Sequence, residues 1–442
     1  MPSGSETRPP RTDTIAAPRD NPAAPDDPVA SRYDSIFLDL DGVVYRGDQA
    51  VPGASEVLEQ LRALGVPLLF LTNNSSRTPE QVATKLTGLG MRADPSEVLT
   101  SAMATAAMLR RESAAGQTAF VVGEQGVRDA LSAAGIHLLD GEPDQADLVV
   151  VGWDRSFDYA KLRTAALLVQ RGARLVATNA DATYPAPDGL WPGGGAILAA
   201  VTTATGATPT IVGKPARPLF EAAADATGAR RPLVVGDRLD TDVAGAEGVG
   251  WDCLLVLTGA SRLEDLLRTD HLPAYLSQDL RALLGEVPPA RFRAATPSDV
   301  AAVKGLLALA GLSTEGVEDR VAGTVVSADE TAAGQHSAGL AATACVERAG
   351  GFGILRSVAV RPDLRGEGLG ALAAACAARE ARRQGLQQLW LFTETAQPFF
   401  ARLGFRPVDR NALPEEVRRS RQALSDCPAT AVAMSADLGA TP

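Results

Sequence analysis

The sequence predicts an α/β protein built on a parallel sheet, with a smaller α/β domain inserted in it and a second unit behind. Three observations predict this. From about residue 34 to 284, short apolar runs alternate with amphipathic stretches, the pattern of parallel strands joined by crossover helices. The first run, Ile36-Phe37-Leu38-Asp39-Leu40-Asp41-Gly42, ends in two carboxylates, and strand carboxyl ends are where such sheets bind ligands. About 140 residues separate Thr72 from Lys214, far more than one crossover needs.

In chain order, the first 30 residues hold seven prolines with scattered acids and bases and no apolar stretch. They read as a disordered tail and not a secretion signal. Candidate strands follow at 36–40, 67–72, 119–123, 148–152, 173–178, 210–213, 232–236 and 253–257, with amphipathic stretches such as 53–64 and 79–89 between them. Three of these strands fall inside the long interval, so a cap is expected at about 90–205 within a first domain of 31–285. Over the carboxyl end of the sheet, such a cap acts as a lid that excludes water and selects substrates. Pro288-Pro289 marks a linker, and the second unit runs over 292–438 with different punctuation.

Bulk properties exclude several classes. Lys+Arg 42 against Asp+Glu 53 gives a net charge of −11, which argues against nucleic acid as a partner. Cys253, Cys345, Cys376 and Cys427 are widely spaced without a C-x-x-C pair, the usage of reduced thiols in a cytoplasmic protein. His137, His271 and His336 form no cluster. No apolar run is long enough to span a bilayer, so no membrane association is expected.

Taken alone, D-x-D-G after an apolar run fits either an acidic turn or a metal and phosphate site. A calcium loop is excluded, because Gly42 falls at the fourth position where an EF-hand requires glycine at the sixth. Three other strand ends bear on the choice. Leu69-Phe70-Leu71-Thr72-Asn73-Asn74-Ser75 ends in hydroxyl and amide groups able to hold phosphate oxygens. Ile211-Val212-Gly213-Lys214-Pro215 ends in a lysine, and Val234-Val235-Gly236-Asp237-Arg238-Leu239-Asp240-Thr241-Asp242 in a carboxylate cluster. Each has a plainer use, as a helix cap, a solvated lysine or an acidic turn. Acid pair, hydroxyl, lysine and acids at four strand ends in order make a phosphate site.

This arrangement resembles the haloacid dehalogenase superfamily over residues 34–285. The segments D-L-D-G-V-V-Y-R-G, T-N-N-S and G-D-R-L-D-T-D, with the long insert after the second, are similar to its class IIA phosphatases, which act on nitrophenyl phosphate, pyridoxal phosphate, phosphoglycolate and glycerol 3-phosphate. The resemblance implies a Rossmann-like core and a Mg²⁺-dependent phosphomonoester hydrolase acting on a small phosphorylated metabolite, with glycerol 3-phosphate the best choice. It also implies the roles. Asp39 attacks phosphorus and forms an aspartyl-phosphate; Asp41 protonates the leaving oxygen and then activates water. Asp39, the backbone carbonyl of Asp41, and Asp237 hold Mg²⁺, with Asp242 beside them. Thr72, Asn73 and Asn74 orient the phosphoryl group, and Lys214 offsets its charge. Residues 39 and 41 lie about 7 Å apart on a fully extended chain, so the chain must bend after Asp39, which Gly42 permits. The segment 177–185 looks like the family's substrate-reading loop, where Asn179 and Asp181 can meet a hydroxylated leaving group. Class IIA relatives often pair through their caps, which leaves a homodimer open.

In the second unit, the strand 354–362 leads into Arg365-Gly366-Glu367-Gly368-Leu369-Gly370 and an alanine-rich helix. R-x-x-G-x-G resembles the pyrophosphate loop of GCN5-related N-acetyltransferases, and 396–405 is similar to that family's closing helix and strand. The resemblance covers about 292–438 and implies an α+β acetyltransferase-like domain binding acetyl-CoA. Val358 and Val360 would pair with the pantetheine arm, and Arg365, Gly366, Gly368 and Gly370 would wrap the pyrophosphate. Phe400 stands where many members carry a tyrosine general acid, which separates cofactor binding from acetyl transfer. The tail, including Cys427-Pro428, is similar to arsenic-resistance acetyltransferases. Three roles stay open for this domain: an acetyltransferase, a CoA sensor or a structural module.

Overall fold

The computed structural model describes residues 27–186, 188–328, 339–426, 428 and 430–439. Most of the expected N-terminal tail, His336 and Cys427 lie outside the described residues. The tail expectation is too long at its inner end. Val29–Arg32 forms a 3₁₀ turn with Val29 and Ala30 buried, tied to the end of the first domain by Val29 N–H donating to the Gly285 carbonyl at 2.8 Å.

The first domain is a six-stranded sheet in the order Tyr275–Ser277, Asp252–Val256, Pro232–Gly236, Ser35–Leu38, Leu68–Thr72, Val98–Thr100. Every pairing in it is parallel. Its central strands are continuous apolar runs because helices cover both faces; every residue of Ser35–Leu38, Leu68–Thr72 and Pro232–Gly236 is buried. Because these three strands are parallel neighbours, their motif ends emerge side by side at the carboxyl end of the sheet. The helix Pro79–Gly88 that follows the second motif starts at Thr78, whose hydroxyl and the Gln81 side chain form a capping box.

The inserted cap has its own five-stranded parallel sheet, in the order Thr210–Ile211, Arg174–Ala177, Leu148–Val151, Thr118–Val122, His137–Leu139. Its boundaries differ from the sequence expectation at both ends. Val98–Thr100, placed in the cap by the sequence, extends the core sheet beyond Leu68–Thr72. Thr210–Ile211, read as a core strand, pairs with Arg174–Ala177 of the cap. Both are short β segments whose pattern does not say which sheet receives them.

The C-terminal domain is a mixed seven-stranded sheet. Among the described residues, Phe352–Val360 and Gln388–Thr393 form its one parallel pair, matched only at Gly353–Leu389 and Ile354–Trp390. Helix Leu369–Arg383 carries ten buried residues, seven of them alanines. It is buried on nearly all sides because it lies between this sheet and the first domain's segment 263–277, whose Leu266, Leu267 and Leu276 join Leu369, Leu372 and Ala373 in one apolar core. Arg382 closes the contact by donating to the carbonyls of Leu267 and Thr269. Small side chains let both surfaces approach the helix closely.

Candidate active site

Lys214 organises the site. It is buried, and its Nζ donates to Asp39 Oδ1 at 2.5 Å and to Asp242 Oδ1 at 2.6 Å. Burial works against the ammonium charge, but the Asp242 and Asp39 carboxylates outweigh it and hold the lysine protonated well above its ordinary range. Asp242 is fully engaged, since its Oδ2 accepts from the Arg238 backbone N–H at 3.1 Å. Lys214 reaches the site from the loop after the cap's edge strand, not from a core strand.

Asp39, Asp237 and Asp242 offer oxygens that all lie within 4.8 Å of one another. Burial, then its carboxylate neighbours, pushes Asp39 well above the usual carboxylate range against the pull of Lys214. Burial and Asp242 push Asp237 up to about 7. Asp237 Oδ2 accepts from the Ala260 N–H at 2.6 Å, while Oδ1 is buried without a hydrogen-bond partner. An orphaned oxygen within a cluster of three acids, two of them buried, fits a divalent cation, and an all-oxygen set suits Mg²⁺.

Asp41 stands beyond the strand end. Gly42 adopts φ +84°, and a Cβ there would lie 2.4 Å from Asp237 Oδ2. The bend the sequence demanded is present, and glycine is required for close approach as well as for φ. Burial raises the Asp41 pKa, opposed by the Lys85 ammonium and by hydrogen bonds from the Gly47 and Gly42 backbone. A carboxyl group so poised can hold and return a proton.

The second motif divides its labour differently from the sequence expectation. Asn73 Nδ2 donates to Asp181 at 3.1 Å and to the Lys214 carbonyl at 3.1 Å, while its Oδ1 accepts from the Lys214 N–H at 2.8 Å. Its amide is thus a strut joining core, cap and the lysine loop, and not free for phosphate. Asn74 Oδ1 accepts from Ser76 N–H and Oγ–H, which shapes the turn. Thr72 Oγ1 accepts from Asn74 N–H at 3.1 Å and keeps its own proton for a ligand. All three line a cavity of about 600 Å³ with Asp39, Asp41, Lys214 and Asp237.

The cap supplies the roof. Asn179 Nδ2 donates to Asp181 Oδ2 at 2.8 Å, and both residues line the cavity. Two further features escaped the sequence reading, Trp153 and the loop 258–260, and Tyr184, inside the segment 177–185, had no role of its own there. Trp153 and Tyr184 stack at 4.2 Å and 27° to form an aromatic wall. Tyr184 lies in the hairpin of Thr183–Ala186 and Gly189–Pro192, whose alternation around a turn was the available signal. The loop 258–260 clamps the floor, with Thr258 Oγ1 donating to the Gly42 carbonyl at 2.5 Å; a turn after a strand carries no comparable signal.

The comparisons agree with this geometry. Residues 36–137 match the model of the haloacid dehalogenase-like hydrolases, 211–283 a HAD-hydrolase-like model, and 322–407 an acetyltransferase (GNAT) domain model. The acid sugar phosphatase of Staphylococcus aureus is 38% identical over 258 residues, 58% of this chain and 98% of that protein. The chain belongs to the haloacid dehalogenase-like hydrolases. Among solved structures, the glycerol phosphate phosphatase of Mycobacterium tuberculosis in complex with magnesium is 30% identical with a TM-score of 0.65, covering 86% of this chain and 98% of that one. A hypothetical protein from Pyrococcus horikoshii OT3 is 39% identical with a TM-score of 0.53, covering 55% of this chain and 96% of its own. This haloacid dehalogenase-like hydrolase is a phosphoric monoester hydrolase of class IIA with a GNAT domain at its C-terminal side.

In that GNAT domain the cofactor residues of the sequence reading sit as follows. Val358 and Val360 are half-buried near the end of Phe352–Val360, after a kink at Ser357 with φ +55°. Arg365, Gly366 and Glu367 are exposed. Gly368, at φ +78°, is pressed against the core sheet's edge strand: a Cβ on it would lie 2.6 Å from the Leu276 carbonyl oxygen. Gly370 faces Val360 and Phe399. Phe400 packs edge-on between Phe399 and Phe405, an apolar use for the position where a tyrosine acid is common. Arg356 pairs with Glu347 at 3.2 Å.

Proposed function

We propose that the protein hydrolyses a small phosphomonoester in a Mg²⁺-dependent reaction, with glycerol 3-phosphate the best candidate. The observation that carries this reading is Asp39, half-buried in the cavity, hydrogen-bonded to Lys214, within a three-carboxylate cluster and beside Asp41. Asp39 Oδ attacks phosphorus, and the bond to the leaving alcohol breaks as Asp41 gives its proton to that oxygen. Asp41, now a carboxylate, takes a proton from the water that attacks the aspartyl-phosphate, releasing phosphate and free Asp39. Lys214 neutralises charge that gathers between Asp39 and the phosphoryl oxygens, and Thr72 donates to one of them. Asp39, Asp237 and the Asp41 carbonyl, with Asp242 beside them, would hold Mg²⁺, which would supply further charge neutralisation.

Support for a small polyol comes from the roof, where Asp181 and Asn179 offer polar groups and the Trp153–Tyr184 stack an apolar face. The M. tuberculosis relative named for glycerol phosphate aligns over the GNAT domain as well. A panel of phosphate esters, with phosphate release as readout, tests the substrate; the reading expects the highest kcat/KM for glycerol 3-phosphate. Asp39→Asn is expected to abolish release from p-nitrophenyl phosphate, and retained turnover would sink the nucleophile assignment. For the GNAT domain we favour a structural module over a transferase, because Gly368 is used for docking and Phe400 for packing. Acetyl-CoA turnover across a panel of amines would reverse that choice. Exposed Leu190 and Trp191 on the cap hairpin support pairing of two copies through the caps, which light scattering of the full chain tests.

A further inference from the structure

A second cavity, of about 330 Å³, lies where the phosphatase core meets the GNAT domain. Its apolar lining comes from both: Val243, Trp251 and Leu272 from the core, Phe292 and Leu372 from the C-terminal side. The size matches the lower end of small-molecule sites. The charges are unevenly matched. Glu247 is held by His271 Nδ1 at 2.5 Å, and Asp252 accepts from Arg291 at 2.8 Å and from the Tyr33 hydroxyl at 2.7 Å. Arg379, on the same wall, makes only long contacts, to the Asp270 carbonyl at 3.3 Å and Cys376 Sγ at 3.8 Å. Its Nε has no hydrogen-bond partner, and the nearest carboxylate among the described residues, Glu380, stands at 4.0 Å. A cation whose nearest counter-ion stands 4.0 Å away, beside acids already held by His271, Arg291 and Tyr33, favours an anionic guest.

The cavity also touches the catalytic machinery from behind. Val243 directly follows Asp242, which holds Lys214. Trp251 packs edge-on against Phe37 at 5.6 Å and Phe220 at 6.0 Å, and Phe37 lies two residues before Asp39. A guest that shifts Trp251 or Val243 therefore presses on the elements that carry the nucleophile and its acid neighbours.

We propose that this interdomain cavity is a regulatory site for a small organic carboxylate with an apolar body, held by Arg379 against Trp251, Phe292 and Leu372. The GNAT domain then contributes half of a binding site and not a transferase. Only the kinetic arm of the test rests on the phosphatase reading; the binding arm does not.

Phenylacetate and neutral phenylacetamide are the probes, titrated calorimetrically into the full-length protein with Mg²⁺ present. Saturable phenylacetate binding is expected, weaker by about tenfold or more for phenylacetamide and for Arg379→Met, the effect of removing one charge-assisted contact. Leu372→Trp fills the cavity and is expected to abolish binding of both probes. Bound phenylacetate is expected to change kcat on p-nitrophenyl phosphate without competing with it. Absence of saturable binding overturns the proposal. So does binding unaffected by both Arg379→Met and Leu372→Trp, or purely competitive inhibition, which would place the probe in the catalytic cavity. Binding with the expected pattern but no change in kcat overturns the regulatory part alone.

Discussion

Lys214 and Asp242 form a buried ion pair at 2.6 Å, and the same ammonium bonds Asp39, the proposed nucleophile, at 2.5 Å. One cation thus balances two acids brought together beyond the carboxyl ends of two neighbouring strands. Lys214→Met leaves those carboxylates facing each other without it. Removing one member of a buried charge group costs on the order of 3 kcal/mol or more. The melting temperature is expected to fall sharply in EDTA and to recover partly in Mg²⁺, with phosphate release lost in both. An unchanged melting temperature in EDTA would show that the group is not balanced by Lys214.

Metal affinity is expected to depend on pH through Asp237. Its pKa in the metal-free fold is pushed up to about 7, and metal binding requires the carboxylate. Below that pH a proton must leave, so apparent Mg²⁺ affinity is expected to fall by about tenfold per pH unit, and to level off above it. For the metal-free protein the sign is opposite: a raised folded pKa makes this group's stability contribution largest at low pH and lost as pH rises through about 7. Asp237→Asn is expected to flatten both curves, measured by Mg²⁺ titration and by melting in EDTA across a range from about one and a half units below that pKa to the same distance above it.

Asn73 joins three parts of the molecule through one amide, so Asn73→Ala is expected to loosen them together. Each lost hydrogen bond to a buried partner costs about 1 kcal/mol. The expected result is a fall in kcat/KM on p-nitrophenyl phosphate of on the order of tenfold or more, with a lower melting temperature. A fall in kcat/KM with stability intact would instead assign Asn73 directly to the phosphate.

Gly368→Ala tests how the GNAT domain is used. The added Cβ meets the Leu276 carbonyl oxygen at 2.6 Å and takes up φ +78°, so a loss of about 1–3 kcal/mol is expected from overpacking and backbone strain. Urea denaturation measures it. Acetyl-CoA titration of the unmodified protein is expected to be silent. Micromolar acetyl-CoA binding that Gly368→Ala removes without loss of stability would return this loop to cofactor duty.

The local motifs were legible because each is complete in a few residues: an apolar strand, a turn and the polar group it exposes. Asp39, Asp41, Thr72, Lys214 and Asp237 converge as that pattern demands. The alternation also predicted a parallel core with a cap inside it. Partners distant in sequence were not legible. Thr210–Ile211 joins the cap sheet and Val98–Thr100 the core sheet, because a short apolar segment records that it is buried and not beside which strand. Asn73 turned out to be a strut since its partners lie 108 and 141 residues away. The alanine-rich helix carried the same message in sequence as any helix packed on a sheet. Only the tertiary structure put a second surface on it, turned Gly368 toward Leu276, and enclosed a cavity between domains. Sequence determined the chemistry held at the strand ends; folding decided which surfaces meet, because side-chain patterns specify faces to be covered and leave the cover to the rest of the chain.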